Sequence, residues 1–87
     1  MDTTMVVNIR SEPFDVYIGR GSKWGNPFRI GKDGTREDVI RMYVAWLRQK
    51  PELLRSLGSL RGKRLGCFCA PLPCHGDTLA SYADALK

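Results

Sequence analysis

Every cysteine and the only histidine of this 87-residue chain fall within nine positions, as Cys67, Cys69, Cys74 and His75. A chain this short buries only about 60–65% of the surface its unfolded form exposes, so an apolar core alone holds it weakly. Its length suits one domain over residues 1–87, because domains rarely fall below about 50 residues. Small domains make up the shortfall with disulfides, a metal or oligomerisation. Three cysteines cannot all pair with one another, and the start Met1-Asp2-Thr3-Thr4-Met5 has neither the basic nor the apolar stretch of an export signal. A disulfide framework is therefore a poor reading, and metal binding or catalysis comes first.

Three thiolates and an imidazole make a Cys₃His donor set suited to tetrahedral zinc, so zinc is the expected cofactor, held by Cys67, Cys69, Cys74 and His75. With four ligands the site would be closed and structural; with three, an open position could activate water. On a strand, Cys67 and Cys69 would face one side with α-carbons about 6.6 Å apart, close enough to share an ion. Cys74 and His75 converge less readily, because adjacent side chains usually point apart unless a turn into a helix gathers them. Two other readings stay open. In one, His75 is a general base supported by Asp77, or Cys69 a nucleophile. In the other, the cysteines are small buried hydrophobes and His75 caps a helix. Asp77 is more readily a first-turn cap than an orienter of His75. A zinc nucleobase deaminase is excluded, since no histidine precedes Cys67 to supply its H-x-E element.

The second unusual segment runs from Tyr17 to Phe28 and mixes glycines with Arg20, Ser22, Lys23, Trp24 and Asn26. Glycines let backbone amides approach a phosphate, cations neutralise it, and an aromatic ring stacks on a base. These five residues are the candidate ligand-binding set. The segment lacks the G-K-[ST] ending of a P-loop and the third glycine of a dinucleotide fingerprint. Its alternative is a packed Ω-loop in which Trp24, Pro27 and Phe28 fill the core.

Charge is distributed unevenly. Fourteen Lys and Arg against nine Asp and Glu leave a net +5. The segment from Arg48 to Arg64 alone matches that excess, with Arg48, Lys50, Arg55, Arg61, Lys63 and Arg64 against Glu52. Such a stretch attracts nucleic acid or anionic ligands, or is simply a solvated face. At 43% hydrophobic and 26% charged residues the composition is globular, not disordered. No apolar run nears the roughly 18 residues of a membrane span, so a cytoplasmic protein without membrane partners is expected.

Periodicity places these segments in an α/β or α+β fold. Val6, Val7 and Ile9 read as a strand buried on both faces, and Val16-Tyr17-Ile18 as a second strand able to pair with it as a hairpin. Thr35 caps a helix whose face carries Val39, Tyr43, Trp46 and Leu47, ending near Lys50 before Pro51. Pro51 opens a shorter helix burying Leu53, Leu54 and Leu57, with Gly58 as its stop. Leu65 to Cys69 reads as the third strand. Residues 76–86 read as the last helix, burying Leu79, Tyr82 or Ala83, and Leu86. The expected architecture is a small three-stranded mixed sheet packed by two or three helices, in the order β-β-α-α-β-α, with a crossover between the second and third strands.

Three runs carry a resemblance: Tyr17-Ile18-Gly19-Arg20-x-Ser22-Lys23-Trp24-Gly25-Asn26-Pro27-Phe28, then Leu60-Arg61-Gly62-Lys63, then Leu65-Gly66-Cys67-Phe68-Cys69-Ala70-Pro71-x-x-Cys74-His75-Gly76-Asp77. Together they resemble the small bacterial and bacteriophage family catalogued as domain of unknown function 4326. The resemblance carries no activity; it implies a bacterial or phage-infected cytoplasm and marks the two unusual segments as the family's defining ones. The loop between Phe28 and Thr35 is short beside longer members, which would trim one wall of any pocket. Three functions fit. The first is a zinc-binding module with a pocket for a phosphate-bearing small molecule or nucleic acid. The second is a small enzyme acting on nucleotides or nucleic acid through His75 and Asp77 or Cys69. The third is an interaction module that inhibits a host factor.

Overall fold

Reciprocal capping starts the longest helix. In the computed structural model, which describes residues 3–86, the Thr35 hydroxyl accepts from the Asp38 N–H at 3.2 Å and the Asp38 carboxylate accepts from the Thr35 N–H at 2.9 Å. This is a capping box with Asp in the place usual for Glu. It opens α1 (Arg36–Arg48), which buries Val39, Tyr43 and Leu47. Pro51 occupies the first turn of α2 (Pro51–Ser56), where its missing N–H costs nothing. The chain does not stop at Gly58 but continues as a 3₁₀ turn over Leu57–Leu60, which buries Leu57 and Leu60.

Three short strands, β1 (Met5–Asn8), β2 (Val16–Tyr17) and β3 (Arg64–Cys67), form one sheet in the order β1-β3-β2, and α3 (His75–Asp84) closes the chain. The order of elements and the α+β class are those the sequence predicts. The pairing is not. Both β1 and β2 pair with β3, and both pairings are parallel, so the sheet is not mixed and the hairpin between the first two strands does not form. Residues 9–15 instead return across the face of β3 to start β2 on its far side. Gly66 makes room for this: a Cβ there would lie 2.6 Å from Ile9 Cγ2 and 2.7 Å from the Phe14 ring. That segment covers one face of the sheet. Leu65 and Cys67 point to the other face, where the helices pack.

Three further expectations change. Only Val7 of β1 is fully buried, on the face it shares with Gly66 beneath the returning loop, while Val6 on the helix face stays half-buried at this edge strand. Strand β3 ends at Cys67, so Cys69 lies in the following turn and does not share the strand's alternation. Helix α3 starts at His75 and ends at Asp84; it buries Leu79 and Ala83 but leaves Leu86 exposed beyond its end.

Trp24 and Tyr43 join the core through a hydrogen bond from the Tyr43 hydroxyl to the Trp24 carbonyl oxygen at 2.7 Å. Burial pushes the Tyr43 phenol well above its ordinary pKa. At the opposite end of the sheet from the cavity described below, Thr4 donates from its N–H and its hydroxyl to the Asp84 carboxylate and accepts from the Gly62 N–H. Among the described residues no helix is long and apolar enough to cross a membrane.

Candidate anion-binding cavity

The C-terminal ends of β2 and β3 and the N-terminal ends of α1 and α3 converge on one cavity of about 450 Å³. Crevices outside the carboxyl ends of parallel strands are where open α/β sheets place ligands. The two unusual segments of the sequence, separated by some forty residues, meet here. Gly19, Arg20, Asn26 and Phe28 line one side, and Cys67, Cys69, Cys74 and His75 the other.

His75 is the best-defined group in the wall. Its Nε2 lies 2.7 Å from the Ile18 carbonyl oxygen. A carbonyl only accepts, so Nε2 carries the ring proton. Burial lowers the His75 pKa, partly offset by that hydrogen bond, and the nearby Arg20 charge lowers it further while Asp77 raises it. The ring is thereby held neutral with an Nδ1 lone pair. Nδ1 has no partner among the described residues, and no buried side-chain nitrogen or oxygen among them lacks one, so Nδ1 is reached by solvent. Tyr43 packs edge-on against the ring with centroids 4.9 Å apart.

The cysteines divide. Cys67 and Cys74 are buried with their sulfurs 3.3 Å apart, while Cys69 is half-buried on the same wall. The Cys74 thiol donates to Cys67 and pulls the Cys67 pKa down against the effect of burial, helped by the Ala70 and Cys69 backbone N–H groups. The same bond and burial push Cys74 up. Cys74 also caps α3: its sulfur accepts from the Gly76 N–H at 3.3 Å, and the Asp77 carboxylate accepts from the Cys74 N–H at 3.0 Å. Asp77 is thus a cap, and the atom that orients His75 is the Ile18 carbonyl oxygen.

The four donors expected to hold zinc do not gather. Among the described residues no three His, Cys, Asp or Glu side chains are grouped to hold a metal ion. As neighbours, Cys74 turns to Cys67 and the helix end, whereas His75 turns to Ile18.

The candidate ligand-binding set also divides. Arg20 and Asn26 line the cavity, but the Asn26 amide is spent bridging the Val39 carbonyl oxygen and the Phe28 N–H. The Ser22 hydroxyl donates to the Gly19 carbonyl oxygen at 2.7 Å and shapes the turn. Trp24 is 3% exposed and belongs to the core, with Lys23 lying over its ring, 5.3 Å from Nζ to centroid. The Ω-loop reading therefore describes Ser22 and Trp24, and the ligand reading stays with Arg20. Two cavity cations were missed. Arg29 comes from the short segment after Phe28, which forms part of the wall, and Arg36 from the first turn of α1. Arg36 is steadied by a hydrogen bond to the Pro73 carbonyl oxygen at 3.0 Å. The stretch from Arg48 to Arg64 supplies none of the cavity's arginines.

The family model described as Domain of unknown function (DUF4326) matches residues 5–85. The chain is 41% identical to an "Uncharacterized 12.4 kDa protein in nrdA-td intergenic region" of Enterobacteria phage T4, over 93% of the chain and 78% of that protein. It is 35% identical to "Uncharacterized protein R718" of Acanthamoeba polyphaga mimivirus, over 63% of the chain and 49% of that protein. No solved structure matches the chain.

Proposed function

The chain belongs to the family described as Domain of unknown function (DUF4326), and from that premise we propose that it binds a phosphate-bearing ligand of mononucleotide size in the cavity beside His75. One observation carries the reading. Arg20, Arg29 and Arg36 all line the cavity, and no Asp or Glu among the described residues does. Three guanidinium groups without a counter-carboxylate favour a multiply charged anion, and the planar fork of Arg matches phosphate oxygens in pairs. The remaining wall is apolar, with Phe28, Ile30, Val39, Ile40 and Phe68. That combination suits a flat ring attached to the phosphate. The volume lies in the range of about 300–1,000 Å³ usual for small-molecule sites.

Calorimetric titration with a nucleoside monophosphate, the matching nucleoside and inorganic phosphate tests the reading. The nucleotide should bind more tightly than either fragment, and weaken as salt is raised. Equal heats from nucleotide and nucleoside, or none from any of the three at millimolar concentration, would overturn it.

A second reading rests on the open Nδ1 of His75. A neutral imidazole with its far nitrogen fixed is equipped to accept a proton from a bound substrate. In that reading the protein is a small enzyme acting on nucleotides, and His75→Gln abolishes turnover while nucleotide still binds. Unchanged nucleotides after prolonged incubation with the wild type would remove it.

A further inference from the structure

We propose that Cys67 and Cys74 form a peroxide-oxidisable thiol pair, a modification site at which a hydroperoxide converts two thiols into one disulfide on the cavity wall. The proposal stands on their placement and is independent of what else the cavity binds. One sulfur ends β3, the other caps α3, and they lie 3.3 Å apart. Closure to a disulfide length of about 2.05 Å needs a small movement of the helix cap, not a rearrangement of the sheet. Both residues line the cavity, which gives a small oxidant a route to otherwise buried sulfurs.

The surroundings assign different parts to the two sulfurs. Across the 3.3 Å contact the Cys74 thiol can donate to the Cys67 sulfur, which holds the Cys67 pKa down and favours its thiolate. Thiolate is the form that attacks peroxide. The Cys67 sulfur attacks one peroxide oxygen; the S–O bond forms, the O–O bond breaks, and the departing oxygen leaves as water or, from an alkyl hydroperoxide, as alcohol after taking a proton. Cys67 is then a sulfenic acid. The Cys74 sulfur gives up its proton and attacks the Cys67 sulfur; the S–S bond forms and the S–O bond breaks, releasing water. The two thiols together lose two electrons and the hydroperoxide gains them. Cys69 is left out, being half-buried in the turn and not hydrogen-bonded through its sulfur to either partner.

The test uses the full chain, hydrogen peroxide and mass spectrometry after alkylation of remaining thiols. Oxidised wild type should be a monomer two hydrogens lighter that takes one alkyl group, placed on Cys69 by fragmentation. Oxidised Cys69→Ser should take none, and Cys74→Ser should stop at a sulfenic acid on Cys67 that a cyclic diketone traps. Dithiothreitol should restore all thiols. The proposal is overturned if Cys69 is consumed while Cys67 or Cys74 remains alkylated, or if oxidised Cys69→Ser keeps two thiols. It is equally overturned if the wild-type pair oxidises no faster than free cysteine. Should Cys74→Ser not fold, the wild type and Cys69→Ser decide the matter without it.

Discussion

The Nε2–H of His75 donates to the carbonyl oxygen of Ile18 across 2.7 Å, joining residues 57 positions apart in the chain. That one bond fixes the histidine tautomer, ties the start of α3 to the end of β2, and sets the Nδ1 lone pair free. Removing the donor strands a carbonyl in a buried place, which costs about 1–3 kcal/mol. His75→Ala should lower stability by about that much plus the lost packing against Tyr43. Gln places an amide nitrogen close to the position of Nε2, and Asn reaches only that of Nδ1. Denaturant unfolding should therefore rank His75→Gln nearest wild type and His75→Asn well below it; equal losses would show that the bond to Ile18 contributes nothing.

The same burial makes stability depend on pH. The unfolded chain takes up a proton on His75 near pH 6.5, whereas the folded chain does so only at lower pH. Between those values the unfolded state binds more protons, so stability is intact above about pH 6.5 and falls as pH drops below it. The slope that is present in wild type and absent in His75→Gln belongs to the histidine. Parallel stability curves for the two proteins between pH 7 and 5 would contradict this.

Arg20, Arg29 and Arg36 should carry the affinity for anions. Each Arg→Ala change removes one charge-assisted contact and should weaken nucleotide binding about 10- to 100-fold. Stability should move little, since Arg20 and Arg29 are exposed and Arg36 makes one exposed bond to the Pro73 carbonyl oxygen. Arg36→Lys should recover only part of the affinity, because an ammonium cannot bind two phosphate oxygens side by side. By contrast Arg61→Ala and Lys63→Ala should leave titration curves unchanged, and a loss there equal to that of Arg36→Ala would move the anion site away from the cavity.

Two glycines hold the sheet against its coverings. A Cβ on Gly76 would lie 2.7 Å from Ile18 Cδ1 and 3.1 Å from Val6 Cγ1, and one on Gly66 would meet Ile9 and Phe14. Forcing a methyl group into such contacts costs about 1–3 kcal/mol. Gly76→Ala should push α3 off the sheet and disturb His75 with it, reducing both stability and nucleotide binding. Gly66→Ala acts on the far face and should reduce stability with binding preserved in the folded fraction. Thermal unfolding with and without nucleotide separates the two.

A third tie lies outside the cavity. Thr4 joins the Asp84 carboxylate to the Gly62 N–H, closing the N-terminal strand against the end of α3. Asp84→Ala leaves the N–H of the buried Thr4 without its acceptor and should cost about 1–3 kcal/mol. Nucleotide affinity of the folded protein should stay at the wild-type value; a shift in affinity would mean that the two ends of the sheet are coupled.

Local chemistry made much of this readable in advance. The order of elements followed from periodicity and punctuation: Thr35 with Asp38 starts α1, Pro51 restarts the chain as α2, and Asp77 caps α3. These signals act within four residues, so the sequence alone sufficed to locate the helices and to single out the segments around Arg20 and Cys67. Strand partners are another matter. The turn chemistry of residues 11–15 suits a hairpin as well as a return loop, and only the room above Gly66, together with β3 inserted between β1 and β2, decided for the parallel sheet. Donor convergence was equally hidden. The spacing of Cys67, Cys69, Cys74 and His75 counts candidates, but side-chain directions depend on where β3 ends and α3 begins, and those ends turned Cys74 toward Cys67 and His75 toward Ile18. The net charge was plain in the sequence, yet the three arginines that matter to the cavity come from outside its densest stretch. Sequence determined which residue types were available and which helices carry them; tertiary structure decided which of them share a space, because a side chain's neighbours are set by contacts that no local rule specifies.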